Sequence, residues 1–117
     1  MRTRAKICGI TRSQDIDAVV KAGADAIGFV FFPPSLRYVS VDQAKELIQH
    51  VPAYVQTVGL FVNATADEIA DVLKQVALDI IQFHGDETPA DCQMIATQVG
   101  RRWYKAIQVK PELDVVA

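Results

Sequence analysis

Four helix-start signals recur along the chain, and their spacing limits the folds open to it more than any other feature. Thr11-x-x-Gln14, Ser40-x-x-Gln43 and Thr65-x-x-Glu68 each place a hydroxyl three residues ahead of a side chain able to reach back to the backbone, the pattern of a capping box. Thr88-x-x-Asp91 is a variant, with Pro89 at the first helical position. Apolar residues at helical spacing follow each signal: Ile16, Val19 and Val20; Ala44, Leu47, Ile48 and Val51; Ile69, Val72, Leu73 and Val76; Cys92, Ile95, Ala96 and Val99. Ahead of each lies a short apolar run, Ala5 to Ile10, Ala24 to Phe32, Val55 to Val62 and Ile80 to Phe83. Such near-continuous runs suit strands of a parallel sheet buried on both faces. The signals stand 29, 25 and 23 residues apart, the length of a strand, a helix and two turns. A fifth run, WYKAIQV from Trp103, follows Gly100, a residue suited to ending the fourth helix. The expectation is an α/β chain of five strands and four helices joined by right-handed crossovers.

Two architectures accommodate that order. One is an open, doubly wound sheet of flavodoxin or receiver type. The other is the N-terminal portion of a TIM (βα)8 barrel, whose usual length of roughly 200 to 250 residues exceeds this chain. The stretch KPELDVVA reads as a loop and the opening of another helix, with Leu113, Val115 and Val116 as its apolar face. That favours the barrel, with residues 1–117 as a single domain incomplete at its C-terminus. A receiver would need an acidic pair after strand one and an aspartate ending strand three, where this chain has CGIT and FVNAT.

Composition narrows the classes. Half of the 117 residues are apolar, 22% are charged and the formal net charge is −2, the profile of a globular domain. Lys and Arg are scattered, so no basic stripe exists for nucleic acid. No apolar stretch approaches the ~20 residues of a membrane span, and the start lacks a signal peptide, which points to the cytoplasm. The only cysteines, Cys8 and Cys92, suit a reducing compartment and form no zinc spacing.

Both architectures place functional residues at the C-terminal ends of the strands. Strand one ends at Cys8, with Arg4, Lys6 and Cys8 on one face and Ala5, Ile7 and Gly9 on the other. Cys8 reads either as a small buried hydrophobe or as a site thiol, whose anionic form Lys6 and the next helix's N-terminus would favour. Cys92, on an apolar helix face, reads as structural. Two prolines force the chain out of the sheet after strand two, carrying Ser35 and Arg37. Arg37 is either a solvated loop residue or a clamp for a carboxylate or aromatic ring. Asn63 reads as a turn residue. Gln82 and His84 share a face at the end of strand four, where His84 serves either structure or site, and Gly85 lets the backbone turn close to a ligand. Lys105 faces either the site or solvent.

The segments KICGIT, GADAIGFVFFPPSLRYV, VGLFVN, QFHGDE and KAI together resemble the phosphoribosylanthranilate isomerases of tryptophan biosynthesis, in order and at matching strand positions. The resemblance implies a TIM barrel and an Amadori rearrangement of N-(5'-phosphoribosyl)anthranilate, with neither metal nor organic cofactor. It implies that Cys8 is the general base, that Arg37 meets the anthranilate moiety, and that His84 is the strand-four histidine; Lys6, Arg37 and His84 are the expected substrate-binding residues. The family's general acid, an aspartate ending strand six, and its glycine-rich phosphate turns after strands seven and eight have no counterpart, and Asp114 is no substitute. The expectation is therefore the N-terminal part of an isomerase that is a monomer or homodimer when complete. The part alone should be inactive and self-associating. A rival expectation is a non-catalytic phosphate- or partner-binding half-barrel.

Overall fold

The computed structural model describes residues 5–106, so Arg4, Ile107 to Val109 of the fifth run, and Leu113 to Val116 lie outside the described residues. The elements run β1 (Lys6–Cys8), α1 (Ser13–Lys21), β2 (Ala26–Val30), α2 (Val41–Ile48), β3 (Gln56–Phe61), α3 (Ala66–Leu73), β4 (Ile80–Phe83), α4 (Pro89–Val99) and β5 (Arg102–Lys105). All neighbouring strands are parallel and their order is β1-β2-β3-β4-β5. That sequential order separates the two architectures. A doubly wound sheet reverses direction at a switch point and so shuffles its strands, whereas repeated right-handed crossovers in one direction keep sequence order and put every helix on one face.

The helix-facing side carries the core. Ile27, Phe29, Phe61, Ile81 and Phe83 pack against Ile16, Leu47, Ile69 and Ile95 from the four helices in one cluster. Alternation sends the intervening residues to the opposite, inner face. There Lys6 lies level with Ala26 and Gln56, and Gln82 lies between Leu60 and Tyr104.

Three capping boxes form with both reciprocal bonds, at Ser40/Gln43, Thr65/Glu68 and Thr88/Asp91, and Gly100 ends α4 in the left-handed conformation. The first does not. Helix α1 starts at Ser13 with Arg12 at its N-cap and no side-chain cap, in place of the expected Thr11 box. The N–H groups of Gly9 and Ile10 both donate to Gly28 O, and Ile10 is buried, so the chain stays pinned to β2 past the point where a Thr11-capped helix would begin. Strand β1 also departs from expectation. Ile7 is 38% exposed because β1 ends the strand ladder and has β2 as its one strand neighbour among the described residues.

Candidate active site

The C-terminal ends of the strands bring Cys8, Arg37 and His84 to one cavity of about 580 Å³, floored by Val30, Leu60 and Gln82. Room for Cys8 comes from β2. A Cβ at Gly28 would lie 3.1 Å from Cys8 Sγ and 3.4 Å from its Cα, so a glycine there lets the thiol sit against the neighbouring strand. Gly9 clears the way for Arg37. It has φ +85°, and a Cβ on it would lie 2.3 Å from Arg37 Cδ, so the arginine crosses the backbone directly after Cys8.

The loop after β2 explains how Arg37 gets there. Ser35 N–H donates to Phe32 O (2.9 Å), Arg37 N–H to Ser35 Oγ (3.1 Å), and Val39 N–H to Val30 O (3.0 Å). Tyr38 pairs with Val30 as an isolated parallel bridge, so the loop closes on its own strand and overhangs the cavity with Ser35, Leu36 and Arg37. His84 is set by its N–H, which donates to Phe61 O (2.9 Å).

Lys6 shares the inner face but not this cavity. Its ammonium donates to Gln82 Oε1 and lies 5.1 Å from the centre of the Tyr104 ring, while Tyr104 Oη donates to the same oxygen at 3.0 Å. It lines a separate cavity at the other ends of the strands, with Asp25, Tyr54 and Gln56. The expected partnership of Lys6 with Cys8 is therefore replaced by one with Gln82 and Tyr104. Gln82 went unmarked among the candidates, and its signal was a lone amide inside the buried run IIQF, two residues before His84.

Lys105 faces neither the cavity nor open solvent. Its ammonium donates to Glu87 Oε1 (2.8 Å) and to Gly85 O. Glu87 also accepts from Gly85 N–H (2.9 Å) and Asn63 N–H (2.8 Å), and Asn63 Oδ1 accepts from Asp86 N–H (2.8 Å). Asn63 thus is the expected turn residue, with φ 53°. Burial opposes ionisation of Glu87, but the Lys105 ammonium and three backbone N–H groups outweigh it and hold the carboxyl below its usual range. The network ties the ends of β3, β4 and β5 together around His84. Behind it, burial first and the Glu87 charge second push the Cys92 thiol up, which fits the structural reading of that cysteine.

A thiol, a guanidinium, an imidazole and an amide therefore converge where barrel enzymes hold their active sites. The family described as N-(5'phosphoribosyl)anthranilate (PRA) isomerase matches residues 5–117. The chain belongs to the phosphoribosylanthranilate isomerase family. It is 76% identical over 116 residues to the isomerase of Acinetobacter calcoaceticus, covering 99% of this chain and 54% of that protein. With the isomerase of Ralstonia nicotianae it shares 53% over 115 residues, covering 98% and 50%. A crystal structure of phosphoribosylanthranilate isomerase in complex with reduced 1-(o-carboxyphenylamino)-1-deoxyribulose 5-phosphate matches with a TM-score of 0.87 at 41% identity, covering 95% of this chain and 56% of that one. The Thermotoga maritima isomerase matches with the same score and identity, covering 95% and 53%. The chain spans about half the length of the curated relatives it matches, and its five strands and four helices are that share of the TIM-barrel fold of the phosphoribosylanthranilate isomerases. Among the described residues no carboxylate lines the Cys8 cavity.

Proposed function

We propose that this chain supplies the Cys8, Arg37 and His84 side of an active site that converts N-(5'-phosphoribosyl)anthranilate to 1-(o-carboxyphenylamino)-1-deoxyribulose 5-phosphate, a cytoplasmic step of tryptophan biosynthesis. The observation that carries this reading is the meeting of those three side chains in one cavity at the strand ends, with Gly28 and Gly9 clearing space for two of them. A general acid outside the described residues protonates the ring oxygen and opens the sugar to a Schiff base. Cys8, as thiolate, then removes the C2' proton, and the electron pair moves into the iminium of the substrate itself. The enolamine that results takes a proton at C1' and gives up the proton of its 2'-hydroxyl to become the ketone. Arg37 binds the anthranilate carboxylate in fork geometry, and His84 lines the same cavity.

Turnover of phosphoribosylanthranilate by the natural gene product, followed by anthranilate-type fluorescence, tests the reading. Arg37→Ala should raise KM by the equivalent of about 1.5 to 3 kcal/mol with kcat little changed, and Arg37→Lys should recover part of that loss. An Arg37→Ala enzyme with unchanged KM would place the anthranilate elsewhere.

A further inference from the structure

Gln82 is 7% exposed and sits on the inner face of β4, two residues before His84. Its carboxamide has one carbonyl oxygen and one NH2, and the neighbours settle which points where. Lys6 offers an ammonium, which donates and never accepts, so the atom it meets is the oxygen. Tyr104 Oη donates to that same oxygen at 3.0 Å. Both lone pairs of Oε1 are therefore taken from the inner, N-terminal side of the sheet.

The NH2 is left over. It has no partner among the described residues, and among them no side-chain nitrogen or oxygen is both buried and unpaired, so the nitrogen lies at an accessible surface. The surface Gln82 contributes to is the cavity it shares with Cys8, Arg37 and His84, not the one lined by Lys6 and Tyr104. A neutral donor pair, held at a fixed angle by an ammonium and a phenol, thus faces the cavity that the thiol also lines. Such a donor suits an uncharged oxygen such as a hydroxyl or a carbonyl.

We propose that Gln82 is a substrate-contacting residue whose amide NH2, oriented by Lys6 and Tyr104, donates to a sugar oxygen at or next to C2'. The inference rests on the function proposed above and extends it: Arg37 takes the aromatic carboxylate, and Gln82 takes the oxygen of the reacting sugar carbon. In this arrangement Lys6 and Tyr104 are positioning residues that act through Gln82.

Two variants in the natural gene product decide the matter. Gln82→Glu keeps both acceptor bonds to Lys6 and Tyr104 and removes the NH2, while Gln82→Met keeps only the shape. The readouts are kcat, KM, affinity for reduced 1-(o-carboxyphenylamino)-1-deoxyribulose 5-phosphate, and the melting temperature. The expected result is that both variants lose at least about 10-fold in kcat/KM and in affinity for the reduced compound, the scale of one well-placed hydrogen bond. Gln82→Glu should melt as the unmodified protein does. Should Gln82→Met fail to fold, Gln82→Glu still decides. Wild-type kinetics and affinity in Gln82→Glu, beside a raised KM in Arg37→Ala, would overturn this inference and leave the proposed function standing. An unmodified protein that neither turns over phosphoribosylanthranilate nor binds the reduced compound would overturn both.

Discussion

A methyl group at Gly28 would sit 3.1 Å from Cys8 Sγ, closer than carbon and sulfur settle without one of them giving way. Gly28→Ala is therefore expected to cost about 1 kcal/mol in stability, at the low end for overpacking, and to lower kcat more than KM by displacing the sulfur. Denaturant unfolding alongside steady-state kinetics checks both parts. Retained kcat would show that the thiol has slack the geometry does not indicate. Residues at strand ends were legible in the sequence because the βα repeat itself fixes where a strand stops, which singled out Cys8 and His84. Gly28 and Gln82 were not read in this way. Their roles come from a neighbouring strand and from Lys6 across the sheet, and one-dimensional spacing carries no trace of either. Lys6 shows the same limit in reverse, since its face was legible but the direction of its long side chain was not.

At the scale of elements, helix starts separate into two kinds. Ser40→Ala, Thr65→Ala and Thr88→Ala each break a reciprocal capping box and should each cost about 1 kcal/mol. Thr11→Ala should be nearly neutral in the same unfolding assay, because α1 begins after Arg12 with no side-chain cap. A loss at Thr11 equal to the others would mean that the box forms after all. The repeat marked all four helices, but the pinning of Ile10 to β2 overrode the local signal at the first. The Glu87 network gives an element-scale dependence on pH. Its carboxyl is held below the ordinary value of 4.5 in the folded state, so its stabilisation is fully present above that value and is lost as pH falls through the lower folded value. Glu87→Gln should therefore be less stable at neutral pH and show a flatter decline in melting temperature on acidification. Parallel curves for the two proteins would show that Glu87 is not the acid-sensitive group.

For the whole molecule, the order of strands matters more than their number. Sequential parallel pairing leaves β1 and β5 at the two ends of the described sheet, with Ile7 of β1 partly exposed. Unpaired N–H and C=O groups on such edges template association with other chains. The 117-residue polypeptide expressed by itself is thus expected to self-associate on size-exclusion chromatography with light scattering. A monodisperse species at 12.9 kDa would contradict that expectation. The barrel was favoured over the doubly wound sheet by the stretch KPELDVVA, which lies outside the described residues, and by the receiver residues missing from CGIT and FVNAT; the sequential strand order is what separates the two in the structure. The placement of all four helices on one face leaves the strand ends of the inner face free to line the cavity of Cys8, Arg37 and His84.

If Cys8 moves the C2' proton, kcat of Cys8→Ala measured beside that of Cys92→Ala in the natural gene product will show it. Cys8→Ala should lower kcat by at least ~10²-fold, the scale of a lost positioned proton transfer, with KM little changed. Cys92→Ala should retain kcat, because that thiol is buried in the core away from the cavity. Near-normal turnover in Cys8→Ala would show that another group removes the proton.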